Sequence, residues 1–262
     1  MSVESPVLTV KADGPVRIVT FNKPDTLNAM SRDLRMAVNS LWHELGDDWE
    51  ARVVVLTGAG RAFSAGGDVP EFVETIENED LRRANFREAG RLVAEMVRFH
   101  LPVISAVNGP AVGLGASIAV MADIVFMADN AFMADPHVAM GLVAADGGVV
   151  TWPLMMSLLR AKEYLFTGER IPARDALSMG LANRVVPADA LLDEAVVFAH
   201  KLAALPAQAL QDTKRALNLH VAAAANAVLP FALMAEELSF GSGDVARKVG
   251  EFGARRKPAT EK

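Results

Sequence analysis

The chain contains no cysteine. That absence removes disulfides, thiolate metal ligands and a cysteine nucleophile from consideration, and it suits a reducing compartment. Histidine is sparse as well: the five residues at 43, 100, 137, 200 and 220 include no HExxH-type pair, so no metal is expected from the spacing. Positive charge is in deficit. With 26 Lys and Arg against 32 Asp and Glu, the formal charge is −6 and the pI is near 5.4. This excludes the basic surface that nucleic-acid phosphates need but leaves room for one local basic pocket. The N-terminus, Met-Ser-Val-Glu-Ser-Pro, has neither a basic start nor an apolar core, so no secretion signal is expected and a cytoplasmic location is the default. Residues 102–128 are apolar enough for a membrane helix by composition, but Pro102, Asn108, Gly109, Pro110 and Asp123 interrupt them. A buried strand, helix and strand is the better explanation, and no membrane partner is expected.

Apolar residues, in contrast, are plentiful: 52% of 262 residues, enough for one large α/β core. Val7–Val10 and Val16–Phe21 flank Asp13-Gly14 and predict a hairpin. Ser31 is placed to cap a helix from about Arg32 to Leu45. A strand over 52–57 follows, then a mobile, charged region near 70–80, a helix from about Leu81 to Phe99, and a strand over 102–107. Beyond it a helix is predicted near 114–121, strands near 124–128 and 131–134, and helices around 149–166 and 173–179. Strand-strand-helix units repeating in this way imply a spiral α/β core with parallel pairing. From Asp189 the pattern turns helical, over 189–203, 206–220, 224–239 and 243–252, with Pro187, Pro206 and Pro230 near boundaries. The expected organisation is a spiral core over 1–188 and a C-terminal helical subdomain over 189–262, covering either the chain's own site or a neighbouring subunit. Arg255–Lys262 reads as a partly ordered tail.

Two glycine-rich turns carry the chemistry. The strand ending at Thr57 leads through Gly58-Ala-Gly60 into Phe63–Asp68, and the strand ending at Val107 leads through Gly109, Gly113 and Gly115 into an apolar helix. A turn that opens a helix leaves backbone N–H groups unpaired with the positive end of the dipole behind them. Two such turns can aim two donors at one oxygen. The Gly113–Ile118 run lacks the third glycine of a dinucleotide-binding turn, so a nicotinamide cofactor is not expected.

The wording of these segments resembles the crotonase superfamily, the enoyl-CoA hydratase/isomerase family. The resemblance lies in Arg61–Val69, Pro102–Gly109, Met121–Ile124, Leu165–Ala176, Gly180–Pro187 and Glu251–Lys257, which keep the family order from about residue 8 to the end. It implies a crotonase-like spiral of repeated strand-strand-helix units with a C-terminal helical subdomain, assembled as a homotrimer or homohexamer. It also implies an acyl-CoA substrate of the kind handled in fatty acid metabolism, with coenzyme A as part of the substrate and no tightly bound cofactor. Matching motif to motif places the oxyanion donors on the backbone of Gly67 and Leu114. Ala65, Gly67, Asp68 and Val69 of the first turn, with Lys23 and Thr26 and the C-terminal Lys257, fall along the CoA. Asp68 also fits a helix cap, and Lys257 or Arg256 a solvated basic tail.

The departures from the family pattern matter most. Its two catalytic glutamates correspond to Ser117 and His137 here, so the acid/base pair of ordinary hydration is missing. Ser117 can hold a water but has no useful pKa near neutrality. His137 titrates in the right range, and Asp146, inside Gly141–Gly148, can fold back to fix its tautomer. The segment Asp135–Gly148 resembles the β-diketone hydrolase (6-oxocamphor hydrolase-like) branch, where a histidine and aspartate at this spacing serve retro-Claisen cleavage. The leading expectation is an enzyme that stabilises a thioester enolate through Gly67 and Leu114 and moves protons with His137 and Asp146. A retro-Claisen C–C hydrolase and a non-catalytic acyl-CoA-binding protein are the alternatives. Phe231 and Phe240 fit either an acyl-pocket wall or the core.

Overall fold

A computed structural model describes residues 4–256. The N-terminal hairpin forms where expected: β1 (Glu4–Ser5) and β2 (Leu8–Asp13) lead into β3 (Val16–Phe21), with Leu8 opposite Phe21 and Asp13 opposite Val16. Helix α1 (Arg32–Gly46) starts after Ser31, yet the Ser31 hydroxyl does not cap it. The hydroxyl is bonded to Asp33 and accepts from Lys23 Nζ at 2.6 Å, so an ionic side-chain chain wins over the cap.

Next come β4 (Val53–Gly58), α2 (Val69–Glu77), α3 (Glu79–Arg98), β5 (Val103–Val107), β6 (Ala111–Val112), α4 (Leu114–Met121), β7 (Ile124–Ala128) and β8 (Phe132–Ala134). The charged region near 70–80, expected to be mobile, is helical. Glu74, Glu77, Glu79 and Asp80 are exposed while Thr75 is buried and Val69, Phe72 and Ile76 pack against Phe240 and Leu142, a tertiary contact that local composition does not reveal. The remaining elements are α5 (Gly148–Met155), α6 (Leu158–Thr167), β9 (Ile171–Pro172), α7 (Ala173–Met179), β10 (Arg184–Val186), α8 (Leu191–Ala203), α9 (Ala207–Phe240) and α10 (Gly243–Arg256). The helix expected over 149–166 is broken at Met156, whose backbone is extended, and Ser157 caps the second piece by accepting from Arg160 N.

The main sheet runs β1-β2-β3-β4-β5-β7-β10, parallel from β3 onward, and β6-β8-β9 form a small second sheet. Each of β5 and β7 hands the chain to a short strand of the second sheet and then to a helix, which is the spiral that the repeated units imply. All side chains of β4 and β5 are buried, as in a parallel sheet covered on both faces. Helix α8 packs on β4 and β5 and adds Leu191, Ala195 and Ala199 to the core.

Where two helices were expected over 206–239, α9 is one helix of 34 residues with Pro230 inside it. An interior proline costs about 3 kcal/mol, but the alanine-rich run before it is strongly helix-forming. Leu229 is also buried with Val93 of α3 and Val150 of α5. Lys214 anchors the other end, donating to Asp123 Oδ2 and Leu101 O, both at 2.7 Å. By length and composition α9 meets the requirements of a membrane span, but Lys214 and Glu236 on it are buried against the chain's own core and site. Its outer face exposes Leu217, Leu219, Met234 and Leu238.

Candidate active site

The two glycine turns are stitched together. Val112 N donates to Ser64 O at 2.9 Å, and Ser64 N to Pro110 O at 3.1 Å. Glycine is required at this contact. A Cβ on Gly66, whose φ is +82°, would stand 2.4 Å from Val112 O, and one on Gly115 would stand 2.6 Å from Ser64 Cβ, closer than atoms can approach. Gly67 lies beside Met30, and Leu114 is the first residue of α4. Neither N–H is spent on a backbone acceptor among the described residues, as expected of the opening turn of a helix for Leu114. Gly67, Gly113 and His137 line one cavity of about 750 Å³, together with Thr26, Ala65 and Val69.

His137, which lines the same cavity, stands in a cluster of side chains. His137 follows β8 with its ring 12% exposed. Its Nε2 faces Asp146 Oδ2 at 3.3 Å. Asp146 does not cap α5; its other oxygen accepts from Ser117 Oγ at 2.6 Å. Two further acids, which the sequence reading missed, complete the cluster. Asp135 binds His137 Nδ1 with Oδ1, and Glu236 of α9 brings Oε1 to 3.8 Å from His137 Nε2. Asp135 had a local signal, lying two residues before His137 in a segment already singled out. Glu236 had none, since it reads as one charge among several on a helix.

Burial by itself lowers the proton affinity of His137, but Asp135 and Asp146 outweigh it and hold the imidazole pKa well above its usual value. Burial pushes the Asp146 carboxyl up, and the charge and hydrogen bond of His137 and the Ser117 hydroxyl bring it down below the usual range. Glu236 is pushed up to about 8, first by burial and then by the neighbouring carboxylates, against the pull of His137. At neutral pH the site therefore holds an imidazolium, an ionised Asp146 and a protonated Glu236. The expectation of an imidazole titrating freely near pH 7 gives way to one held protonated by two acids. Asp135, His137 and Asp146 place donor atoms within 4.8 Å of one another, a density that also suits a cation. Both ring nitrogens already face carboxylates, so the arrangement matches a proton network.

Among the residues expected along the substrate, Thr26, Ala65, Gly67, Asp68 and Val69 line the cavity. Asp68 sits at the N-cap position of α2 without a side-chain capping bond. Lys23 is not part of the lining, its ammonium being turned to Ser31 and Asp33. Arg61 also lines the cavity and brings a guanidinium to it. The Lys257 position, and the Arg256 side chain, lie outside the described residues. Phe240 packs edge-on against Phe72 and Phe86 in the core, whereas Phe231 is 69% exposed.

Comparison with known proteins gives a consistent result. A family model described as enoyl-CoA hydratase/isomerase matches residues 11–261. A short-chain-enoyl-CoA hydratase from Clostridium acetobutylicum is 32% identical over 252 residues, 95% of each chain. The crystal structure of an enoyl-CoA hydratase/isomerase from Mycobacterium paratuberculosis superposes with a TM-score of 0.92 at 49% identity, covering 95% of this chain and 99% of that one. A β-diketone hydrolase from the cyanobacterium Anabaena, solved with (S)-3-oxocyclohexyl acetic acid bound, gives 0.83 at 27% identity over 90% of this chain and 94% of its own.

Proposed function

The chain belongs to the enoyl-CoA hydratase/isomerase family and has the crotonase fold, and from that premise we propose that it is an enzyme acting on an acyl-CoA thioester through an enolate. In this reading the thioester oxygen sits on the N–H groups of Gly67 and Leu114, and the proton is supplied by His137 with Asp146. The observation that carries it is geometric: His137, bracketed by Asp135 and Asp146, shares its cavity with the Gly67 turn.

The physical argument is one of charge. Negative charge grows on a carbonyl oxygen as its neighbouring carbon becomes enolate-like, and one preset donor contributes about 3–4 kcal/mol there. In isomerisation the α-carbon first gives a proton to the ionised Asp146, leaving its electron pair in the dienolate, and the γ-carbon then needs a proton. Imidazolium Nε2–H can give it while the electron pair of that N–H bond stays on nitrogen, and Asp146 stabilises the charged ring before transfer. Ordinary hydration is disfavoured, because Ser117 and His137 occupy the positions of the family's two glutamates and Ser117 Oγ is bonded to Asp146. Arg61 at the cavity supplies a cation for CoA phosphates.

A second reading is retro-Claisen cleavage of a β-dicarbonyl. Water adds its oxygen to one carbonyl and passes a proton to the ionised Asp146, the C–C bond breaks, its electrons enter an enolate held by the same donors, and His137 or Glu236 protonates the carbon. The protonated Glu236 facing His137 favours it, as does the likeness to the Anabaena protein. Incubation with enoyl-CoAs, β-ketoacyl-CoAs and free cyclic diketones, followed by mass spectrometry, separates the outcomes. An isomer or water adduct of a CoA ester supports the first reading and a cleaved diketone the second. Binding of CoA esters with no turnover of any compound overturns both in favour of a non-catalytic acyl-CoA-binding protein.

Second copies of this chain are the proposed cover for the apolar outer face of α9, in a trimer or hexamer. Such an expanse of Leu and Met is too apolar for a lone solvent-facing layer. Light scattering that gives a stable species of 28.0 kDa at micromolar concentration contradicts this.

A further inference from the structure

We propose that Asp135 is a positioning residue for the proton chemistry of this site: its carboxylate seats the His137 ring through Nδ1 and keeps that ring doubly protonated, so that the exchangeable proton lies on Nε2, between Asp146 and Glu236. The inference deepens the reading in which His137 supplies the proton, and rests on that reading only for its catalytic consequence.

Asp135 is an expensive residue to place here. It is 1% exposed. Oδ1 binds His137 Nδ1 and accepts from His137 N at 3.3 Å, but Oδ2 is buried with no hydrogen-bond partner among the described residues. A bare buried carboxylate oxygen is costly, and a carboxylate without a counter-charge far more so. Simple space filling calls for neither.

Other segments leave room for it. A Cβ on Gly148 would stand 2.6 Å from Asp135 Oδ2, and a Cβ on Gly168 would stand 3.0 Å from Pro136 Cα. Glycines from two distant stretches thus accommodate the Asp135-Pro-His137 segment, and Pro136 restricts its backbone. Among the described residues, the carboxylate so admitted meets one charge partner, the imidazole.

The groups facing that ring are Asp135 after β8, Asp146 from the turn before α5, and Glu236 from α9. Ser117 of α4 acts through Asp146. Only the doubly protonated ring satisfies both close acids, Nδ1–H donating to Asp135 and Nε2–H to Asp146. The two carboxylates outweigh the burial penalty and raise the proton affinity of His137. In turnover Nε2 gives up its proton and regains one, while Nδ1–H stays on Asp135 and keeps the ring from turning.

The test needs no substrate, so its failure leaves the proposed reaction standing, and an inactive enzyme leaves this inference standing. The full chain is labelled with ¹⁵N-histidine, and the ring nitrogens are followed by NMR against pH, His137 being assigned by its absence in His137→Gln. In the wild type both His137 nitrogens are expected to remain protonated through neutral pH. In Asp135→Asn the transition is expected at lower pH, with proton affinity reduced about tenfold or more. A wild-type transition at the ordinary imidazole value overturns the proposal, as does an unchanged transition in a folded Asp135→Asn. Should that variant fail to fold, Gly148→Ala drives a methyl group into Oδ2 without altering charge. It is expected to lower the transition, and an unmoved one overturns the proposal.

Discussion

The two walls of the cavity are built on opposite principles. On one side stand the glycine turns, with Gly67 and Gly113 lining the cavity and Leu114 following at the start of α4, on turns whose glycines allow close approach. On the other stands His137, which lines the cavity and is backed by three acids, Asp135, Asp146 and Glu236, with Ser117 bonded to Asp146. The first wall depends on where the chain runs and is indifferent to most side chains it carries. The second depends on side-chain identity at each position and on burial and charge, which displace the proton affinities of His137, Asp146 and Glu236. Substitutions should therefore act differently on the two walls.

The largest effect is expected on the side-chain wall. His137→Ala is expected to lower kcat by ~10³-fold, within the range of a lost general acid. Asp146→Asn is expected to be comparably damaging, and the double variant to fall little further because the pair acts as a unit. Steady-state kinetics on the substrate found by the panel checks this. Near-full kcat in His137→Ala, with an unchanged pH profile, removes the proton chemistry from this wall.

Gly67→Pro comes next. It deletes one donor and should reduce kcat by ~10²-fold or more. Any side chain at this position also strikes Phe72, whose ring lies 2.6 Å from where a Cβ would be, so circular dichroism must show the variant folded. Full turnover in a folded Gly67→Pro protein would falsify the oxyanion assignment.

Glu236→Gln separates the walls by pH. The Glu236 proton is held to about pH 8 in the native state and released near its ordinary value in the unfolded chain. The native state thus binds more protons between those values, and this contribution to stability is present at low pH and lost as pH rises through about 8. Gln lacks that loss. Urea unfolding should show Glu236→Gln gaining on the wild type between pH 5 and pH 9 by roughly 2–4 kcal/mol. A constant difference across that range contradicts the buried, protonated assignment.

The smallest effect is expected from Leu114→Met. The donor is the main chain and Met conserves side-chain volume, so kcat should stay within about threefold and stability within about 1.5 kcal/mol. A large kcat loss with intact stability means that the Leu114 side chain shapes the substrate pocket directly.

Much of this protein was legible in local sequence. The Asp13-Gly14 hairpin, the apolar strands at 53–58 and 103–107, and the glycine turns report φ/ψ demands and two-sided burial, which are properties of short windows. The His137–Asp146 pair was legible because a turn brings residues close in sequence back together. What tertiary structure decided was of another kind. The segment 69–77 is helical because Phe72 and Ile76 find Phe240 and Leu142, and α9 passes through Pro230 because Leu229 packs on α3 and α5. Lys23 is drawn to Asp33 and away from the cavity. Glu236 becomes an acid with a pKa near 8 only when α9 is laid over the end of β8 and the turn before α5. Sequence determined where the backbone must bend and which donors it leaves unpaired, because those are local steric facts. Only the folded chain determined which acids share a proton, because desolvation and charge coupling depend on neighbours that the fold alone supplies.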